Sequence, residues 1–214
     1  MSSTSAGLTW PEWTIRVAPH DPKAASDVPR VPDLDNADER ELVRECLGGR
    51  SEAFDVLVVR HRRAVYLVCY RFVGNHEDAT DLAQDVFVRA YRALGRFKGD
   101  SSVKTWLYRI AVNVCLNKVS ARALRTESID DQQPLPAHDP DAVSQLLSAE
   151  RAGLVRAAVA RLPPRQRATL ILRVYQDLPH LEIARIMGIS VGAVKANFFH
   201  ALNNLRRLLA GEPL

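Results

Sequence analysis

The chain has little of what covalent chemistry needs. Its 214 residues include three cysteines, Cys46, Cys69 and Cys115, and no Cys-x-x-Cys. Their spacing suggests neither a zinc knuckle nor a redox pair, and each falls in an apolar helical run. Buried free thiols are expected, as suits a reducing cytoplasm. No apolar run approaches the ~20 residues that a membrane-spanning helix needs. The start lacks the basic-then-apolar order of a signal peptide. There is no Gly-rich phosphate loop, no nucleophile–base pair and no metal-ligand set. An enzyme is therefore disfavoured, and no cofactor or metal is expected.

What is present is enough apolar residue for a core, 47%, and a lopsided charge. Ten basic and three acidic residues lie between Glu150 and Ala210, a balance of +7, which leaves −3 for the rest of a chain of net charge +4. A polyanion would bind the C-terminal part.

Residues 1–35 read as a disordered arm, interrupted by Pro11, Pro19, Pro22, Pro29 and Pro32. Trp10 and Trp13 there have two readings, a docking motif or loose packing. From Asn36 the pattern turns helical. Asp38 to Leu47 is a short helix with Leu42, Val43 and Leu47 inward, ended by Gly48-Gly49. Ser51 is expected to cap a long helix to Val73. Its Arg60-His61-Arg62-Arg63 belt is expected to be a solvated face. Asn75 caps the next helix, whose apolar stripe is Ala79, Leu82, Ala83, Val86, Ala90 and Leu94. Asp78, Asp81 and Asp85 share another of its faces, beside Gln84. No further ligands complete a metal shell there, so the carboxylates suggest a protein-docking face.

The stretch from Phe97 to Val119 is the centre of the chain. A Gly-Asp-Ser-Ser break, with Ser101 or Ser102 as cap, precedes a helix with Leu107, Ile110, Val114 and Cys115 facing a core. Lys104, Trp106, Tyr108, Arg109, Asn113 and Lys118 fall on other faces. Aromatics that stack, amides that read base edges and cations that hold phosphates suit single-stranded nucleic acid. An amphipathic helix with aromatic core residues is the alternative.

Residues 120–142 read as an acidic linker, broken by Pro134, Pro136 and Pro140. A second domain comes next, 143–210. Val143 to Ala160 is amphipathic, Pro163-Pro164 opens a helix, and Leu170, Ile171, Leu172, Val174 and Tyr175 are expected in its core. Leu178 to Ser190 then has helix-turn-helix spacing, with Ala184 for close packing, Gly188 in the turn and Ile189 in the angle. Ser190 caps the recognition helix. Lys195, Asn197, Phe199 and His200 are candidates for the major groove, and Arg206 and Arg207 for phosphates.

Three stretches carry a resemblance. Phe-Lys-Gly-Asp-Ser-Ser, then Thr-Trp-Leu-Tyr-Arg-Ile-Ala-Val-Asn, resembles the promoter-melting segment of extracytoplasmic-function (ECF) sigma factors, compact sigma factors of bacterial RNA polymerase. Asp-Leu-Ala-Gln-Asp-Val-Phe-Val-Arg-Ala-Tyr resembles their polymerase-binding helix. Leu-Pro-Pro-Arg-Gln-Arg, the helix-turn-helix and Val-Gly-Ala-Val-Lys are also similar to their fourth domain. The resemblance implies an all-α fold of two small domains joined by a flexible linker, with region 2 at 36–119 and region 4 at 143–210. It implies that Asp81, Gln84, Asp85 and Val88 meet the clamp helices of the polymerase largest subunit, with the flap of the second-largest subunit as a further contact. It places a flipped base of the minus-ten element near Phe97, with Asn113 on base edges, Lys104 and Arg109 on phosphates, and Trp106 in the packing. It implies minus-thirty-five recognition by Ser190, Lys195, Asn197, Phe199 and His200. It also implies a cognate anti-sigma factor, a stress or envelope response, and no membrane insertion. The chain departs from the family at Ala196-Asn197, where Ser-Arg is usual, at His200, where a second Arg is usual, and at Pro179, where a capping Ser is usual. The competing reading is a free-standing regulator that binds duplex DNA without polymerase.

Overall fold

The computed structural model describes residues 32–125 and 142–211, and every regular element among them is helical. The expectations for Trp10, Trp13 and the acidic run around Asp130 lie outside the described residues. The first domain holds α1 (Pro32–Asp35), α2 (Glu39–Leu47), α3 (Glu52–Val73), α4 (His76–Ala93) and α5 (Val103–Arg125). The second holds α6 (Ala142–Arg161), α7 (Pro164–Leu170), a π turn (Ile171–Tyr175), α8 (His180–Met187) and α9 (Val191–Leu209).

Local signals set most boundaries. The Asp38 carboxylate accepts from the Glu41 N–H at 2.7 Å and starts α2. Asn75 does the same for α4 through the Asp78 N–H, 2.8 Å. Ser102, rather than Ser101, caps α5 through the Thr105 N–H, 3.1 Å. Ser51 departs from expectation: its backbone is helical, with φ −60° and ψ −30°, and its hydroxyl caps nothing. A capping side chain needs the extended backbone of a residue still outside the helix. The helix α5 also runs to Arg125, past the Val119 where the linker is expected to begin.

In the core, α3, α4 and α5 pack on one another, and the whole stripe of Ala79, Leu82, Ala83, Val86, Ala90 and Leu94 is buried. Two inward expectations fail at helix ends. Leu47, in the last position of α2 before the chain turns at Gly48, is 55% exposed. Val174 and Tyr175 are also exposed. They close a π turn, whose extra residue rotates these last side chains off the buried stripe.

The basic belt of α3 is not all solvated. His61 is buried, with Nε2 donating to the Glu39 carboxylate at 2.9 Å. Arg60 donates to the Asp35 carbonyl at 2.7 Å. Thus α1 and α2 cover this turn of α3. Cys69 and Cys115 are buried free thiols, as expected, but they also meet across α3 and α5. Their hydrogen bond, and then burial, push the Cys115 thiol up.

The second domain has a small core of its own, with Ala158, Val159, Leu162, Leu170, Ala201 and Leu208. Its other apolar face, including Ile171, Leu172, Ile183, Ile186 and Val194, is continuous with the core of the first domain.

Burial holds the His61 imidazole below its ordinary 6.5, against the pull of Glu39. As pH falls below 6.5 the unfolded chain takes up a proton first, so this site favours folding above that pH and loses that contribution below it. Urea melts from about pH 7.5 to 5.5 should show the wild type losing stability relative to His61→Gln. Parallel losses in the two proteins would mean that His61 does not titrate as its burial requires.

Candidate polymerase and nucleic-acid interfaces

The outward face of α4 gathers the four residues expected there. Asp81 and Val88 are exposed, Gln84 and Asp85 half-buried, and their spacing puts them on one side of the helix. Arg89 grips Asp85 through Nε, at 2.9 and 3.0 Å from the two carboxylate oxygens. Asp78 belongs to the fold instead: it pairs with Lys118 of α5 at 2.9 Å and with the Asn75 side chain. The structure adds Tyr91, 43% exposed, one turn beyond Val88. Its ring stands edge-on to Phe54, centroids 5.0 Å apart, so this apolar surface is held in place. The signal was in the sequence as the continuation of the Asp81–Val88 spacing.

Trp106, Arg109 and Asn113 share a second face, at i, i+3 and i+7 of α5. The Phe97 ring packs on Trp106 at 5.0 Å, and both are half-buried against the core. Asn113 is exposed. Lys104 is exposed but lies round the helix from these three, with Nζ 5.7 Å from the Tyr108 ring centroid. Arg109 is exposed yet engaged: it donates to the Arg185 carbonyl of α8 at 2.9 Å. Tyr108 corrects an expectation. The pattern of α5 puts it on an outer face, yet it is 1% exposed, with its hydroxyl donating to Gln176 Oε1 at 2.5 Å. Burial pushes its phenol up to about 12. The second domain covers this side of α5, which the sequence of one helix does not reveal.

Arg167 of α7 joins the two domains. It is 7% exposed and donates to the Phe72 carbonyl at 2.8 Å and to the Leu162 carbonyl at 3.2 Å. Phe72 lies in the last turn of α3, where orphan carbonyls carry the negative end of the helix dipole. Desolvation holds the guanidinium down at about 10. Beside it, the Arg71 guanidinium sits 4.1 Å from the centroid of the Tyr175 ring, which gives that exposed ring a cation to stack on.

The α8–turn–α9 unit forms as expected. Gly188 takes φ +65°, which favours glycine, and its N–H returns to the Ala184 carbonyl. Pro179 offers no side-chain cap, but its carbonyl accepts from the Glu182 and Ile183 N–H groups at 3.0 and 3.1 Å. The Ser190 hydroxyl accepts from the Ala193 N–H at 3.1 Å, so it caps α9. Lys195, Phe199, His200, Arg206 and Arg207 are exposed. Asn197 is half-buried and turned away from the Lys195–Phe199 side of the helix.

This geometry defines a two-domain helical protein of the helix-turn-helix class. Family models match both domains: Sigma-70 region 2 over residues 57–125 and Sigma-70, region 4 over residues 152–205. The chain is 34% identical over 194 residues to the RNA polymerase sigma-H factor of Pseudomonas aeruginosa, covering 85% of this chain and 97% of that one. It is 35% identical over 173 residues to the ECF RNA polymerase sigma-E factor of Escherichia coli, covering 76% and 90%. The structure of CnrH in complex with the cytosolic domain of CnrY matches with TM-score 0.59 and 26% identity, over 82% of this chain and 99% of that one. The fold alone is shared, at TM-score 0.58 and 22% identity over 73% and 96%, with RpoE of Bartonella quintana, solved with the anti-sigma factor NepR. The chain belongs to the sigma-70 family, as an ECF-type RNA polymerase sigma factor that directs promoter-specific initiation of transcription.

Arg167→Ala removes two charge-assisted hydrogen bonds and should cost ~1.5–3 kcal/mol. Urea melts of the full chain check this. A melt that does not move would show that the guanidinium does not hold the domains together.

Proposed function

We propose that the chain acts as a dissociable polymerase subunit in which α4 docks on core polymerase, the Phe97–Asn113 segment opens the minus-ten element, and α9 reads the minus-thirty-five element. It performs no catalysis itself and works in the cytoplasm. Among the described residues no helix is long and apolar enough to cross a membrane. The functional units are a region 2 domain, which takes in α1 from the expected arm of 1–35 and runs through α5 to Arg125, beyond the expected end at 119, and a region 4 domain at 143–210, whose first helix begins at Ala142 in the expected linker of 120–142. The observation that carries this reading is the α4 face, where Asp81, Gln84, Asp85, Val88 and Tyr91 leave carboxylates and apolar side chains together at the surface. A free-standing regulator has no use for it.

Phe97, Trp106 and Asn113 form the base pocket. Extruding a base costs a few kcal/mol, which stacking and edge contacts must offset. Lys104 and Arg109 hold the backbone. Simultaneous contact with both promoter elements needs the domains apart. Roughly 25 base pairs at 3.4 Å each span ~85 Å, whereas α8 here touches α5. The docked arrangement is thus a resting form, in which Arg109 is tied to Arg185. The partners are core polymerase, through the clamp helices of the largest subunit and the flap of the second-largest, promoter DNA, and an anti-sigma factor that governs release. CnrH, similar in sequence and fold, was solved with the cytosolic domain of CnrY.

Asp81→Ala with Asp85→Ala should abolish co-elution with core polymerase while circular dichroism stays unchanged; undiminished binding would remove α4 as the docking face. Lys195→Ala should weaken promoter binding by ~1–3 kcal/mol if it reads a base. An equal loss on every sequence would make it a phosphate contact.

A further inference from the structure

Gly192, Lys195, Ala196, Phe199 and Asn203 recur at i, i+3, i+4, i+7 and i+11, so they form one outward stripe of α9. The opposite side, with Val194, Ala201 and Leu208, is buried. In a helix-turn-helix the N-terminal part of the second helix meets the base edges. Here that part offers few hydrogen-bonding heads. The Ser190 hydroxyl is taken by the Ala193 N–H. Asn197 is half-buried on another side. Asn204, further along, donates to Gln166 Oε1 at 2.8 Å. What remains on the first two turns of the stripe is one ammonium, Lys195, beside a methyl, Ala196, and a phenyl ring, Phe199. Phe199 is 62% exposed, with its ring set at 70° to that of His200, centroids 5.7 Å apart.

An apolar surface on a DNA-reading helix has one natural complement. The thymine C5-methyl is the apolar group on the major-groove edge of the bases, and Ala and Phe are among the side chains that pack on it. Lys195 flanks the pair, and Arg206 and Arg207 lie on the same side of the helix further along, so phosphates would press this stripe into the groove. We propose that Ala196 and Phe199 are specificity-determining residues that read thymine methyl groups in the upstream promoter element. This rests on the assignment of α9 to that element.

The test uses holoenzyme assembled from core polymerase and the full chain, on a promoter selected from random sequence. Each thymine of the upstream element is replaced in turn by deoxyuracil, which removes the methyl and keeps every hydrogen-bonding group. At one or more positions initiation should fall about fourfold per methyl, the transfer value of one buried carbon. Phe199→Ala should abolish the preference for thymine over deoxyuracil at its position, whereas Lys195→Ala should lower initiation and keep it. Phe199 is too exposed for its truncation to disturb the core. An upstream element without thymine, equal initiation on thymine and deoxyuracil, or an unchanged preference in Phe199→Ala overturns the inference and leaves the sigma function standing. Failure to initiate at any sequence with core polymerase overturns the proposed function, and this inference with it.

Discussion

Everything else in the structure accommodates one constraint on α5: it must be buried on two sides and still keep polar groups at the surface. The helices α3 and α4 cover one side, and α7 and α8 cover another. Val103, Leu107, Tyr108, Ala111, Val112, Val114 and Cys115 are all 3% exposed or less. A helix apolar over so much of its circumference is stable in water only between neighbours. The strip that remains carries Arg109 and Asn113 in the open. Both residues keep their positions because the rest of the helix cannot rotate without exposing core.

That arrangement also couples the two domains. The contacts that cover α5 include groups with other uses: Arg109 at the Arg185 carbonyl, and the Tyr108 hydroxyl at Gln176. The docking is polar at its edges and apolar at its centre, where Ile171, Leu172, Ile183 and Ile186 join the first core. Opening must expose those side chains, so it needs partners that bind the separated form better than the docked one. Core polymerase and promoter DNA are such partners in the proposed function. A protein that favours the docked form would hold the factor inactive by the same linkage. Arg167 contributes to that cost through its bond to the Phe72 carbonyl. Its buried guanidinium donates to backbone carbonyls rather than to a carboxylate, so what it gains at the end of α3 is partly offset by desolvation.

What was legible in the sequence was what short-range physics decides. The caps at Asn75 and Ser190, the turn at Gly188 and the α4 stripe each depend on residues within a few positions of one another. So does the grouping of Asp81, Gln84, Asp85 and Val88, which spacing alone places on one side of α4. The failures are non-local. Tyr108 and His61 look like surface residues in their own helices and are buried by other elements. Cys69 and Cys115 are remote in sequence and meet in space. Val174 and Tyr175 continue a good helical pattern, but the π turn changes the phase. Ser51 looks like a cap by residue type, and its backbone excludes the role. Lys104 shares a composition with the α5 face and not its angle.

The recognition helix shows the same division at finer scale. By residue type, Asn197, Asn203 and Asn204 are the natural base readers of α9, because a side-chain amide both donates and accepts. The fold turns two of them away and leaves Asn203, half-buried, at the far end of the outward stripe. Asn204 faces α7 and is spent on Gln166, and Asn197 is half-buried away from the stripe that contains Lys195. Where the resemblance leads one to expect arginines, this chain has Asn197 and His200, and Ala196 stands where a serine is usual. Bidentate hydrogen-bonding capacity has therefore left the centre of the reading surface. Discrimination by such a surface comes from shape, apolar contact, a single cation and the exposed imidazole of His200. Each apolar contact discriminates by less than a bidentate pair, which is worth about 1–3 kcal/mol. In the proposed function, the second element, at Phe97 and Asn113, supplies the rest of the promoter specificity of a factor built this way.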